Sequence, residues 1–583
     1  GIINVLHGDE ARLLGARTAL EALTMVPGID VNRDQYGSPA LRVRGVDFFF
    51  NNGNIKVLID GLPISREAAG QNGAVLLMPI EQIERIELIR GPGTGVHGDF
   101  AFMGLVNLVT RHQGKGISVS VGRGSRRSLM AHFADASQSG DWRLSGNLSD
   151  WQSDRFDTSD ALDNDEQRRM LSLQLGWKRL DLQLAAIDRD WQGWVPNRGG
   201  ANQPPPPSPI RENLQIERSH NLQLRYRLRD REDERAALWL QRRHNVYERQ
   251  NAQFEGPRSE IGGEWLRRFG RHQWLLQVQW ARLEVERASL PGPPPAMIVR
   301  DSRALRSLSV QDQIDFGAGF QLTAGLRYDS LQDVDSKLTP RLAAIWQINP
   351  RHLLKAQYSE GFRSPGPVDG VYSGSTVESQ AFEQVQTREL GYVYRRPQFL
   401  LRVTGFSNRI SHMFFPPGNR FFGQDLGVRA QGLEFELSHQ PISWLKWQAT
   451  WSTANAFDDR AAVVNVPGQG PVSFGGASVG QPESLGNLAL LFNPDGAWSA
   501  GMHWQHVGRR ADRGQAGFQP GYQQLNLGLR YQPATLPKLR VDWGLRNALA
   551  DDVYYIETRP GMPLQLNRYA EREWSLGVSW SFD

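Results

Sequence analysis

From Ile117 onward the chain alternates apolar and polar positions with a period of two. Ser128-Leu129-Met130-Ala131-His132-Phe133 is one example. Another sets Leu525, Leu527 and Leu529 against Gln524, Asn526, Gly528 and Arg530. That period belongs to strands with one apolar and one polar face. About 22 such segments fit between Ile117 and Phe582. Short turns (Ser139-Gly140-Asp141, Asp230-Arg231-Glu232, Phe269-Gly270-Arg271, Asn349-Pro350-Arg351) alternate with long connections at 155–166, 192–214, 290–301, 363–384, 413–424 and 458–483. One rim of the predicted assembly therefore carries tight turns and the other long loops. The last strand puts Leu576, Val578, Trp580 and Phe582 on one face and Gly577, Ser579 and Ser581 on the other.

Residues before Ile117 have a different texture. Ile3-Asn4-Val5-Leu6 predicts a short strand, and Leu13, Leu14, Ala19, Leu20, Leu23 and Val26 fall at helical spacing. Thr18 is placed to cap the second helix, and Pro27-Gly28 to end it. Ile55 to Ile59 predicts a strand followed by a tight Asp60-Gly61-Leu62-Pro63 turn. Pro79 to Ile83 opens a helical turn, Ile86 to Ile89 returns to strand, and Leu105 to Thr110 closes a mixed α/β unit. His112 to Gly116 is a polar linker.

Four motifs run through that unit in order: VRG (Val43 to Gly45), VLIDGLP (Val57 to Pro63), PIEQIERIELIRGP (Pro79 to Pro92) and HGDFAFMGLVNLVTR (His97 to Arg111). Together they resemble the plug domain of TonB-dependent outer-membrane receptors. The last motif departs from the family pattern: His97 stands where Tyr is common, and Met103 replaces a Gly. Downstream, TPRLAAIWQ, YSEGFRSP, RELGYVY, QGLEFEL and GLRNALADDVYY are also similar to family segments, and the final strand resembles the signal read by the barrel-assembly machinery. The implied fold is mainly β: a 22-stranded antiparallel transmembrane β-barrel (residues 113–583) with an N-terminal α/β plug domain (residues 1–112) inside its lumen.

Composition is compatible with this. The 583 residues carry 66 Lys plus Arg against 62 Asp plus Glu, so no nucleic-acid footprint is expected. No apolar run is long enough for a transmembrane helix. A negative mean hydropathy agrees with a barrel, in which only alternate residues meet lipid. The 18 Trp suit interfacial girdles, and the absence of Cys excludes disulfides and thiolate metal sites. No nucleophile elbow, HExxH or Walker motif is present, and GPGTGVHG lacks the Lys-Ser/Thr of a phosphate loop. No enzymatic activity, resident cofactor or metal site is expected.

The resemblance implies capture of a scarce metal chelate outside the cell, most of all a ferric siderophore, followed by import driven through TonB. The TonB-contacting segment and the leader are expected upstream of Gly1. The molecule is expected to act as a monomer in contact with outer-membrane lipid. Ligand contacts are expected from plug loops at Phe48, Phe49, Asn51, Arg66, Gln71, His97, Asp99 and Phe100, and from barrel loops at Arg363, Phe415, Arg420 and Phe421. Arg with aromatic side chains suits flat anionic chelates. Arg44 and Arg90 are expected to pair with Glu389 and Glu434 across the plug–barrel boundary. Alternative readings are uptake of cobalamin or haem, or a passive porin-like or adhesin barrel. Phe362-Arg363-Ser364-Pro365 resembles half of a haem-receptor pattern whose NPNL half is missing.

Overall fold

The barrel closes where the strand Lys115–Gly122 pairs with the terminal strand Glu573–Phe582, in a register running from Ser575 opposite Gly122 to Phe582 opposite Lys115. A computed structural model describes the chain except residues 1, 34–37, 47–53, 65–72, 123–125, 138–139, 154–164, 193–213, 250–251, 291–295, 299–300, 366–380, 413–426, 467–469, 478–480, 495, 513–516, 558–564, 571 and 583. Closure gives a 22-stranded antiparallel barrel with no free edge.

Burial along each strand follows the predicted alternation. In Glu383–Arg396 the buried positions include Val385, Thr387 and Glu389, while Gln386, Arg388 and Leu390 between and beside them are exposed. The outward side is apolar over a broad belt, with Leu390, Leu433, Phe435 and Trp451 exposed. Toward the short-turn rim lies a row of exposed aromatics that includes Trp142, Trp177, Phe269, Trp346, Trp444 and Trp498. His352, Tyr394, Phe399, His439 and Trp447 continue that row as successive ring contacts with centroids 5.0–5.9 Å apart. Amphipathic rings are favoured at the boundary between hydrocarbon and water. The last strand behaves as its pattern predicts: Val578 and Phe582 are exposed, whereas Ser579 Oγ on the other face accepts from Arg12 Nη1 at 3.3 Å.

The lumen is filled by the N-terminal unit. Its five-stranded sheet is ordered β1-β6-β7-β4-β5. The strands are β1 (Ile2–His7), β4 (Ile55–Ile59), β5 (Leu62–Pro63), β6 (Ile83–Arg90) and β7 (Gly104–Thr110). A separate ladder joins β2 (Ile29–Arg33) to β3 (Pro39–Val43). The short helix Gly8–Leu13 packs against the sheet and Ala19–Leu23 against β2, and Thr18 Oγ1 caps the second by accepting from Glu21 N at 3.4 Å. The apolar core gathers Leu20, Leu23, Val57, Ile80, Ile86 and Val106. Contacts reach the wall on all sides: Gln82 to Ser149, Asp60 to Gln183, Ala74 to Glu217, Gly95 to Ser309, Asp99 to Ser364, Gly28 to Ser452 and Arg12 to Asp542.

Two predicted loops contain further strand. Leu445–Val466 runs on past the barrel wall and pairs with Gly470–Ala477, while Arg287–Leu290 pairs with Ala296–Ile298. The β-branched run Val463, Val464 and Val466 favours extension, a preference that the polar and glycine-rich surroundings mask in sequence.

Candidate functional site

Three clusters of charged and aromatic side chains line the lumen: a charged seat where β3 and β6 end, a pin at Asp99, and a guanidinium–aromatic wall toward the long-connection rim.

The seat lies where β3 ends and β6 ends. Arg44, in the left-handed region at φ 55°, donates Nε to Glu434 Oε1 at 2.9 Å and Nη2 to Glu434 Oε2 at 3.2 Å. Its Nη1 reaches Glu389 Oε1 at 2.5 Å, and the guanidinium lies over the Phe406 ring at 4.4 Å. Arg90 Nη1 sits 2.7 Å from the second oxygen of Glu434, and Nη2 reaches Glu436 Oε1. Glu436 is held in turn by Arg402 at 3.0 Å and by Asn4 at 2.6 Å. The seat thus brings together three guanidinium groups and three carboxylates, the composition under which buried charge is tolerated. Burial alone would lower the Arg44 pKa, but Glu434 and Glu389 outweigh it and hold it raised.

Two glycines make this approach possible. A Cβ on Gly28 (φ +74°) would stand 2.6 Å from Glu434 Oε1, and one on Gly91 (φ +84°) 2.9 Å from Glu389 Oε1. Both the space and the left-handed backbone select glycine.

The pin is Asp99. Its Oδ1 accepts from the Ser364 and Phe100 amides at 2.9 Å each, and its Oδ2 accepts from Ser364 Oγ. Phe100, at φ 68°, is 2 % exposed. Next to Ser364, Arg363 is buried and gives Nε to Glu383 Oε2 at 2.5 Å. Asp99, Phe100 and Arg363, expected at a ligand surface, thus lie in the packed joint between plug and barrel. His97 is half-buried on the short helix Thr94–His97. Its carbonyl accepts from Lys56 Nζ at 2.6 Å. Burial, with Lys56, Arg341 and Arg327 nearby, pushes its imidazole down to about 3. Phe48, Phe49, Asn51, Arg66, Gln71, Phe415, Arg420 and Phe421 lie outside the described residues.

The wall went unnoticed in the sequence. Glu166 Oε1 takes Arg168 at 2.7 Å and Arg189 at 2.8 Å. Arg189 stacks on Trp191 at 3.8 Å and Arg168 on Trp151 at 4.9 Å. Tyr247 continues the layer toward Phe254, with centroids 6.1 Å apart and planes nearly parallel. These side chains occupy alternate, inward positions at the long-connection ends of their strands. A second missed feature is Asp30, which receives Arg510 at 2.6 and 3.1 Å and Arg42 at 3.4 Å.

Comparison with known proteins places this arrangement in context. Residues 118–548 match the family described as TonB dependent receptor-like, beta-barrel. Residues 1–105 match the TonB-dependent Receptor Plug Domain. A curated relative, vitamin B12 transporter BtuB of Vibrio vulnificus (strain CMCP6), is 22% identical over 467 residues, covering 74% of this chain and 71% of that protein. Among solved structures, the siderophore receptor PirA from Acinetobacter baumannii superposes with a TM-score of 0.79 at 13% identity, covering 100% of this chain and 98% of that one. A ferric enterobactin receptor (PfeA) variant from Pseudomonas aeruginosa, bound to enterobactin, gives 0.80 at 15% identity, with 100% and 99% covered. The ferric yersiniabactin uptake receptor FyuA from Yersinia pestis gives 0.77 at 14% identity, with 100% and 98% covered. At these identities the solved structures share the fold.

Proposed function

This chain belongs to the TonB-dependent receptor family, and from that membership we propose that it imports a ferric siderophore across the bacterial outer membrane. Cargo is bound at the long-connection rim. TonB then pulls on the plug and opens a path through the lumen. A plug that fills the lumen leaves no room for passive diffusion of a large solute, which argues against a porin-like reading.

The observation that carries the choice of cargo is the wall of Arg168 and Arg189 stacked on Trp151 and Trp191. These side chains are buried, with Glu166 accepting from both guanidinium groups and Glu217 opposite Arg189 on the next strand, so a ligand reaches the rings and the guanidinium forks by taking over the place of these carboxylates. Flat anionic chelates are recognised by charge together with stacking. The receptors for enterobactin and yersiniabactin among the structural relatives add support.

Cobalamin uptake is the second reading, favoured by the relation to the vitamin B12 transporter. Cobalamin is bulky and carries little net charge, so it gains less from this wall. The deciding experiment is tryptophan-fluorescence titration of the purified receptor with a ferric tris-catecholate and with cyanocobalamin. Submicromolar quenching by the ferric chelate alone supports the siderophore reading; quenching by cyanocobalamin alone replaces it.

A further inference from the structure

His244, Glu255 and Glu286 meet outside the lumen, at the long-connection end of the barrel wall. One imidazole nitrogen and two carboxylate oxygens there all lie within 4.8 Å of one another. His244 Nε2 is 3.6 Å from Glu255 Oε1 and 3.8 Å from Glu286 Oε2. The three residues come from separate segments: the strand Glu234–Arg249, the strand Ala252–Phe269, and the junction between His272–Val285 and Arg287–Leu290. Parity sets the face. Gln241, Arg243 and Tyr247 are buried, whereas Leu238 and Leu240, on the face of His244, are exposed. His244 lies four residues beyond Leu240 on that strand. At roughly 3.3 Å per residue and a tilt of roughly 40°, this places it roughly 10 Å past the apolar belt, within reach of water and dissolved ions.

A β-bulge aims the third side chain. Leu283 stands opposite Arg258, but Arg287 stands opposite Glu255. Four steps along one edge therefore match three along the other, and Glu286 falls within the extra step. Insertions of this kind redirect a side chain. Glu286 N donates to Glu255 O at 2.9 Å, which fixes the two acidic residues side by side.

Carboxylates so placed repel unless a cation lies between them. The neighbouring arginines are directed elsewhere. Arg287, opposite Glu255, turns to Gln253 Oε1 at 3.3 Å. Arg282 is held by Glu284 at 3.2 Å, and Arg242 donates to Ser259 Oγ at 3.4 Å. Among the described residues no arginine or lysine stands within ion-pair distance of Glu255 or Glu286.

We propose that His244, Glu255 and Glu286 bind a zinc ion, which clips the strand Arg287–Leu290 to the hairpin beside it and so anchors one end of a long connection. Ligands about 2.0–2.1 Å from a tetrahedral zinc stand roughly 3.4 Å apart, close to the separations already present. The fourth position faces water. Imidazole together with carboxylate suits zinc, whereas calcium and magnesium take oxygen ligands. The inference is independent of the cargo.

The test uses the full receptor in detergent after chelator stripping. Zinc affinity is measured by competition with a fluorescent zinc chelator, and the ligand set is read from the visible spectrum after cobalt replaces zinc. His244→Gln and Glu286→Gln are each expected to weaken zinc binding at least ~tenfold, about 1.4 kcal/mol, and to remove the intense tetrahedral cobalt bands. Glu284→Gln removes a nearby charge that Arg282 already answers, and should stay within about twofold of wild type. Equal zinc affinity in wild type and both ligand variants overturns the proposal. So does a loss in Glu284→Gln as large as in Glu286→Gln, which is the mark of diffuse negative charge, and so does displacement of zinc by equimolar calcium. Unchanged heat-modifiable migration establishes that each variant is folded.

Discussion

Arg44 and Glu434, 390 positions apart in sequence, meet as a two-pronged ion pair at 2.9 and 3.2 Å, both fully buried. Glu389 and Arg90 close on either side of it. Removing one member of a buried pair leaves its partner charged in a poor solvent, a cost of roughly 3–5 kcal/mol. Glu434→Ala strands parts of two arginines and should loosen plug seating more than Glu389→Ala. Hydrogen exchange of β4 and β7 reads this out. Protection should fall in the order wild type, Glu389→Ala, Glu434→Ala, and protection indistinguishable from wild type in both variants would count against a seating role.

Gly28 offers an independent probe of the same joint. Alanine there meets both a left-handed backbone and the Glu434 carboxylate at 2.6 Å. Strain of this kind costs on the order of 1–3 kcal/mol. Gly28→Ala is therefore expected to displace Glu434 and mimic part of the Glu434→Ala phenotype, whereas Gly61→Ala, whose Cβ would meet nothing within 4 Å, pays only for its left-handed backbone. Equal exchange profiles for the two variants would show that the carboxylate's approach is unimportant.

Acid should release the plug. Burial would raise the carboxyl pKa of Glu21, but Arg17 and Arg546 reverse this and bring it down to about 2. Burial opposes ionisation of Asp30 likewise, and Arg510 and Arg42 hold it lowered. A carboxylate whose folded pKa is depressed contributes stability above its unfolded pKa, and that contribution is lost as pH falls toward the folded value. For Glu21 the window runs from about 4.5 down to about 2, and on the order of 3 kcal/mol is at stake. Thermal denaturation followed across this window should show the plug transition falling with acid. The fall should be shallower in Glu21→Gln, which starts less stable at neutral pH. A slope equal to wild type would remove Glu21 from the account.

The barrel was legible because membrane strands repeat one physical rule, apolar toward lipid and polar toward lumen, over hundreds of residues. The plug was legible through Pro, Gly and β-branched positions whose local geometry is nearly obligatory, as at Thr18, Pro79 and Gly61. Arg44, Arg90, Glu389 and Glu434 were anticipated only through resemblance. Nothing local in the sequence says that positions hundreds of residues apart share one seat. Asp99, Phe100 and Arg363 look like loop residues because polar and turn-forming types mark both exposed loops and packed joints. Asp99 takes its place from Ser364, a contact no local window contains. Arg168, Arg189 and Trp191 were readable as lumen-facing by parity, and Arg189 and Trp191 are two residues apart on one strand, but the approach of Arg168 to Trp151 and of Glu166 to Arg189 depends on the register of neighbouring strands.

That register sets up the last prediction. Glu166 is opposite Trp191 and Arg168 opposite Arg189 on neighbouring strands, so one carboxylate orders both cations and each cation lies on an indole. Trp191→Ala removes the platform for Arg189 while leaving its charge. Arg189→Gln removes the charge while leaving the platform. If the wall recognises a flat anion, both substitutions weaken ferric tris-catecholate binding, each by about 1–2 kcal/mol, or five- to thirtyfold in Kd. Raising salt should erode the affinity of Trp191→Ala more than that of Arg189→Gln, because only the former retains the cation. Binding of cyanocobalamin, if detected, should respond to Trp191→Ala far more than to Arg189→Gln. Ferric-chelate affinities within twofold of wild type for both variants would exclude the wall as the recognition surface.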